Sequence, residues 1–142
     1  MAWVQKSTVT KVREGMKILN KEYGIKTSVA GTNSHSLKLR IISGKIDFLA
    51  NRIAKLADDH RHTPEEIERH TKALRMNQGM SVNHYWLSDA FDGIALEYLE
   101  KAKAILMVDH WDKSDIQSDY FNCAYYINMD IGSWDKPYEV TN

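Results

Sequence analysis

Four aspartates, Asp109, Asp112, Asp115 and Asp119, are crowded into the stretch VDHWDKSDIQSDYFN (residues 108–122). Closely spaced carboxylates are the ligands that hard divalent cations prefer, so a metal site is the first hypothesis. The spacing matches no standard calcium-binding loop, because the stretch has no glycine for a sharp turn and no glutamate to close the site. Aspartate and serine also cap turns by bonding to nearby backbone. We therefore interpret this acidic connector as a turn whose aspartates contact a partner.

His62, Glu66 and His70 form a second group at four-residue steps, and such residues could share a helix face as zinc ligands. However, Thr63 has the position of a helix N-cap, with Pro64 after it and Glu66 completing a capping box. This start signal places His62 before the helix. We interpret the group as a solvated helix surface.

Signals for covalent catalysis or phosphate binding are absent from the sequence. No serine stands in the context of a nucleophile elbow, and SGK at 43–45 lacks the upstream glycine of a phosphate-binding loop. Cys123 falls on the buried face of a predicted strand, where cysteine usually acts as a small hydrophobic residue. The sequence therefore predicts a non-enzymatic protein with no catalytic residue, metal or cofactor.

Aromatic residues near the chain end and before the last long helix suggest a binding surface instead. SWDKPYEV contains Trp134 and Tyr138, and NHYWLSDAFDG contains Tyr85 and Trp86. Tryptophan and tyrosine in loops are enriched at protein interfaces, because they supply large contact area at low entropic cost. We predict that Trp86, Trp134 and Tyr138 bind a partner together with the four aspartates of the acidic connector.

The formal net charge of zero conceals two oppositely charged halves. Residues 1–57 contain eleven Lys and Arg against three Asp and Glu, a net charge of +8, and residues 58–142 contain eight against sixteen, a net charge of −8. A basic half can contact phosphates. The alternative function is therefore nucleic-acid binding through Arg13, Lys17, Lys38 and Arg40. The opposing interpretation is that the two halves intermix in one domain.

The first half of the chain has clear patterns of secondary structure. Apolar residues at steps of three and four predict a helix that ends at Gly24. Alternation of period two then predicts a β-hairpin over 25–41, which directs Leu37, Leu39 and Ile41 inward and Lys38 and Arg40 outward.

The second half of the chain is mainly helical and ends in a strand. Helical patterns are predicted at about 46–56, 63–78 and 88–109, and strict alternation predicts a long strand over 120–131 with one buried face. We predict one α+β domain over 1–142, with its elements in the order α-β-β-α-α-α-β. The four helices pack on a small antiparallel sheet. The sheet consists of the hairpin and the long strand, and the first and fourth helices cover one of its faces.

Composition gives the expected location. The chain has 142 residues, 43% hydrophobic and 27% charged, with no apolar run long enough for a membrane span and no apolar leader at its start. The single Cys123 fits a reducing compartment. We expect a cytoplasmic protein that does not contact the membrane.

The segment KVREGMKILNKEYGIKTSVAGTNSHSLKLRIISGKIDF resembles the small α-β-β modules found beside large polyvalent proteins of phages and conjugative elements. The matching positions are Lys26, Ser28, Val29, Gly44 and Asp47, and the FDG at 91–93 is also similar. The sequence TNSHS replaces the glycine pair expected in the hairpin turn. The resemblance brings no catalytic residues. It implies a mobile-element protein that counters host defences, such as an anti-CRISPR or antirestriction factor, with a host defence protein or ribonucleoprotein complex as partner.

Overall fold

The computed structural model describes residues 4, 6–31, 36–58, 61–77, 79–108, 125–132 and 136–141. These residues form the helices α1 (Lys6–Tyr23), α2 (Phe48–Ala57), α3 (Pro64–Asn77), α4 (Leu87–Ala90) and α5 (Gly93–Leu106), and the strands β1 (Ile25–Ala30), β2 (Ser36–Gly44), β3 (Met80–Val82), β4 (Tyr126–Ile131) and β5 (Glu139–Val140). The predicted α+β class is confirmed. The predicted order of elements recurs, with β3, the one-turn helix α4 and β5 added to it.

The sheet is mixed, which corrects the predicted antiparallel arrangement. Its order is β1-β2-β4-β3, and β5 pairs with one end of β2. The pairs β1–β2 and β3–β4 are antiparallel, whereas β2–β4 and β2–β5 are parallel. A parallel pair requires a long crossover between its strands. The chain between β2 and β4 supplies one, because it contains α2 to α5.

One face of this sheet is covered by α1 and α5. We call it the covered face; its central residues, all buried, are Leu37, Leu39, Ile41, Ile127, Met129 and Ile131. They share one core with the apolar sides of the two helices, including Val12 and Met16 of α1 and Leu99 of α5. Period-two alternation places the intervening residues of β2 and β4 on the opposite side. The predictions of a single buried sheet face and of the helices that cover it are confirmed.

Two glycines are required by the backbone around the β1–β2 pair. Gly24 has a positive φ of 68° and its N–H donates to the carbonyl of Asn20 at 2.8 Å, so it ends α1 as predicted. Gly44 faces Ile25, and an added Cβ would lie 2.9 Å from the Cα of that residue. Asp47 caps α2, since its carboxylate accepts from the N–H of Ala50 at 3.0 Å. Gly44 and Asp47, which carried part of the resemblance, therefore have structural roles here.

The longest predicted helix is interrupted near its start. Phe91 is extended and fully buried, and α5 begins only at Gly93, whose φ is 57°. Asn51 of α2 holds this break: its amide donates to the Asp92 carboxylate at 2.8 Å and accepts from the Asp92 N–H at 2.9 Å. Ile94, the first residue after Gly93, is 57% exposed.

The capping box at the start of α3 is confirmed. The Glu66 N–H donates to the Thr63 hydroxyl at 3.2 Å, and the Thr63 N–H donates to the Glu66 carboxylate at 3.5 Å. Helix α3 packs mainly against α2 and has no fully buried side chain among its described residues. Its start is therefore set by local interactions rather than by the core.

Candidate functional site

Tyr138, a predicted partner-binding residue, lies in the core and is only 4% exposed. Its hydroxyl donates to the carbonyl of Ile46 at 2.7 Å, and its ring packs edge-to-face against Phe48 with centroids 5.6 Å apart. Burial raises the pKa of this hydroxyl above its usual value. The prediction for Tyr138 is therefore corrected: the ring closes one end of the core, and its hydroxyl satisfies a buried carbonyl.

Several other predicted binding residues lie outside the described part of the chain. These are Asp109, Asp112, Asp115 and Asp119 of the acidic connector, together with Trp134. Cys123 is also outside it. Their assignment as partner contacts stays a prediction.

Trp86 is exposed, as a contact residue must be. It lies in a loop over residues 83–86, which we call the aromatic loop, and 61% of Trp86 and 74% of Tyr85 are exposed. The loop is folded on itself, because the Tyr85 N–H donates to the Asn83 side chain at 3.0 Å and the Trp86 N–H to the Asn83 carbonyl at 3.1 Å. Two neighbouring aromatic rings are thus presented to solvent on a locally ordered turn.

Helix α5 anchors the aromatic loop. The Lys103 ammonium donates to the carbonyl of His84 at 2.8 Å and lies 6.0 Å from the centre of the Tyr85 ring. The His84 and Tyr85 rings are in contact, with centroids 4.1 Å apart and an angle of 37° between their planes. These contacts reduce the conformational freedom that the loop would lose on binding a partner.

The second candidate surface is the side of the sheet opposite the covered face, which we call the open face. A cleft of about 690 Å³ lies over it, between β1 on one side and β3 on the other. Alternation in the strands assigns the following residues to the open face: Ser28, Ala30, Lys38, Arg40, Ser81, Tyr126, Asn128 and Asp130.

Residues in register form two rows across the open face. The first row runs Ser28, Arg40, Asp130 and Ser81, and its Ser81 hydroxyl donates to the Asp130 carboxylate at 2.9 Å. The second row brings Lys38 opposite Asn128 of β4 and Ala30 of β1. Lys38 and Arg40, predicted to point away from the core, are thus neighbours on a polar surface.

Arg13 and Lys17 lie elsewhere, in a groove of about 510 Å³ between α1 and the edge strand β1. We call it the edge groove. The Arg13 guanidinium donates twice to the Val29 carbonyl, from Nη2 at 2.9 Å and from Nε at 3.3 Å. This contact occupies a backbone acceptor on the edge of the sheet. Of the four residues predicted for nucleic acid, two therefore line the open face and two the edge groove.

His62 and Glu66 interact as neighbours around the start of α3. The His62 ring nitrogen Nδ1 lies 3.3 Å from a Glu66 carboxylate oxygen, and the rings of His62 and His70 lie 5.7 Å apart. Hydrogen bonding from His62, and then from Thr63, lowers the pKa of Glu66. Across the described ranges, no group of three or more His, Cys, Asp or Glu is arranged to hold a metal ion.

Sequence reasoning did not select Tyr126, Ser81 and Asp130 as candidate residues. Tyr126 and Asp130 fall on the polar side of the predicted final strand, and 51% of Tyr126 is exposed. The period-two pattern that marked the covered face could also have identified these two. Ser81 had no such signal, because β3 is three residues long and its pattern is too short to recognise.

Searches found no family model, no curated protein and no solved structure that matches this chain. Among the described residues, no helix is both long and apolar enough to cross a membrane.

Proposed function

We propose that this chain is a non-enzymatic protein of a mobile genetic element, which acts in the host cytoplasm and inhibits a defence complex by protein–protein contact. The observation that carries the proposal is the aromatic loop, with its two exposed rings on an anchored turn. The resemblance of the N-terminal segment to modules of phages and conjugative elements supports the class of target.

The aromatic loop has the physical properties of an interface anchor. Binding energy at protein interfaces is concentrated in a few residues, and tryptophan and tyrosine are prominent among them. Trp86 and Tyr85 are adjacent, and the turn that carries them is held by two backbone donors and by Lys103. A pre-ordered loop loses less entropy on binding than a free one.

The acidic connector adds a second element to the proposal. Complementary charge raises association rates more than it raises affinity. A target that handles nucleic acid has a basic surface, and Asp109, Asp112, Asp115 and Asp119 would steer the protein toward it. In this scheme, the aromatic residues Trp86 and Trp134 then hold the complex together.

A plaque assay tests the proposed function. The chain is expressed in a panel of bacterial strains, each with one CRISPR–Cas or restriction system, and phage plating is measured. We expect restored plating in at least one strain. We expect Trp86→Ala to lose this protection. Met76→Ala should keep it, because Met76 is an apolar residue on α3, outside the aromatic loop, and at 74% it is more exposed than Trp86 at 61%. No protection in any strain, or full protection by Trp86→Ala, contradicts the proposal.

Rate measurements on the affected defence complex separate anchoring from steering. Loss of an aromatic anchor should raise the dissociation rate by roughly 30-fold, the equivalent of about 2 kcal/mol. The triple change Asp112→Asn, Asp115→Asn, Asp119→Asn should mainly slow association. The reverse assignment of the two effects would contradict this scheme.

A further inference from the structure

We propose that the open face and the edge groove form one continuous basic cleft that binds single-stranded RNA. This inference goes beyond the protein contact proposed above and depends on a different surface. The two cavities share Ser28, which lines both of them. Ser28 and Ala30 are outward residues of β1, so small side chains separate the groove from the open face at these two positions.

The charges that line the cleft favour a polyanion. The edge groove contributes Arg13, Lys17 and Lys26, and the open face contributes Lys38 and Arg40. Asp130 is the only carboxylate that lines either cavity among the described residues. Neutralisation of successive phosphates by Lys and Arg releases condensed counterions, which is the main source of affinity for nucleic-acid backbones.

Tyr126 favours single-stranded RNA over duplex RNA as the ligand. It is half-exposed on the open face, two positions before Asn128, and Asn128 lies in register with Lys38. Single-stranded nucleic acids bind by stacking unpaired bases on aromatic rings beside a basic track. The bases of a duplex are already stacked on one another, so a duplex would leave the Tyr126 ring without this contact.

Asp130 favours RNA over DNA. A carboxylate in the middle of a basic cleft repels phosphates, but it accepts a hydrogen bond from a hydroxyl. The Ser81 hydroxyl occupies one acceptor position of Asp130, and a carboxylate has about four. The 2′-hydroxyl is the donor that distinguishes RNA from DNA. Asp130 lies in register with Arg40. If Arg40 binds a phosphate, the adjoining ribose would lie near Asp130.

Fluorescence anisotropy with a labelled 12-nucleotide RNA tests the inference, with DNA of the same sequence, duplex RNA and poly-glutamate as comparison probes. We expect the single-stranded RNA to bind best. With three to five phosphates neutralised, its affinity should fall by about 20- to 130-fold between 50 and 200 mM salt. Preference for the duplex, or equal affinity for poly-glutamate, would overturn the proposal, the latter in favour of an acidic protein.

Variants locate the site. Lys38→Ala with Arg40→Ala should weaken RNA binding at least tenfold and reduce the salt dependence. Arg69→Ala with Lys72→Ala makes the same change of charge on α3, outside the cleft, and should have no such effect. Lys38→Gln alone, at an exposed position, provides a milder variant if the double change disturbs folding. Equal losses in the α3 variant would overturn the assignment.

Two further variants test the stacking and the sugar contact. Tyr126→Ala should lower RNA affinity by about 5- to 150-fold with little change in salt dependence, while Trp86→Ala in the aromatic loop should leave it unchanged. Asp130→Asn should reduce the preference for RNA over DNA. Unchanged RNA binding by Tyr126→Ala would overturn the single-strand assignment. The plaque assay with Trp86→Ala tests the proposed inhibition of a defence complex, and the anisotropy measurement tests RNA binding. Failure of one proposal is therefore recognised independently of the other.

Discussion

The covered face and the open face are two sides of the same strands. Successive residues of each strand belong alternately to one face and to the other. In β2, Leu37, Leu39 and Ile41 are fully buried, whereas Lys38 is exposed and Arg40 half-buried between them. The covered face packs against two helices, and the open face lines a polar cleft. The comparison shows that one strand can supply stability with one set of side chains and leave the other set for binding.

The largest expected difference is between adjacent residues of β2. Leu39→Ala should lower the free energy of unfolding by about 2–5 kcal/mol, because it removes buried apolar atoms and leaves a cavity. Lys38→Ala, one residue away, should change it by less than about 0.5 kcal/mol, since its side chain is exposed. Urea unfolding of both variants measures the difference. Similar losses at the two positions would show that the open face is covered.

A second contrast between the core and the open face is visible at high pH. Burial raises the pKa of Tyr98 above its usual value of 10.0. Above that pH the unfolded chain releases this proton while the folded protein retains it, so Tyr98 alone should lower stability by about 1.4 kcal/mol per pH unit. Tyr98→Phe should make the decline shallower.

The control for Tyr98 is Tyr126→Phe, which removes an exposed hydroxyl from the open face and should keep the parent's decline. Because Tyr98 also donates to Asn20 at 2.7 Å, Tyr98→Phe lowers stability at every pH. The slope, obtained from urea unfolding at several pH values between neutral and alkaline, is therefore the quantity to compare. An unaltered slope in Tyr98→Phe would argue against its burial.

Arg13 of α1 contacts the edge of β1 through its guanidinium, at the boundary between the two faces. Arg13→Ala removes two hydrogen bonds to the Val29 carbonyl and should cost about 1 kcal/mol of unfolding free energy. Lys17→Ala, another cation of the edge groove, should cost less, because the hydrogen bonds to the Val29 carbonyl come from Arg13 and not from Lys17. Hydrogen exchange at β1 amides offers a local readout. Equal protection in both variants would contradict the role of Arg13 at the edge.

The smallest change in stability is expected for a substitution within the open face. Ser81→Ala breaks the hydrogen bond from Ser81 to Asp130, which is exposed. Such surface contacts usually change stability by less than about 0.5 kcal/mol. Thermal melting of Ser81→Ala beside the parent measures it. A loss comparable to that of Leu39→Ala would mean that β3 depends on this bond.

Local sequence determined the features that depend on neighbouring residues. Alternation in β2 and β4 correctly separated the two faces, since side chains in a strand point to opposite sides. Gly24 ended α1, and Thr63 with Glu66 began α3, because these caps bond to backbone only a few residues away. Lys38 and Arg40 were recognised as outward residues for the same reason.

Tertiary structure alone decided the contacts between distant residues. The parallel pairing of β2 with β4, the interruption before α5 by Asn51 and the burial of Tyr138 each join parts of the chain that no local pattern relates. The cleft extends from Arg13 on α1 to Asp130 on β4. Asp130 joins the other cleft residues only because β4 pairs with β2. Closing such long loops costs entropy, which is offset only when all elements pack together. The sequence of one segment therefore does not specify which distant segment it contacts.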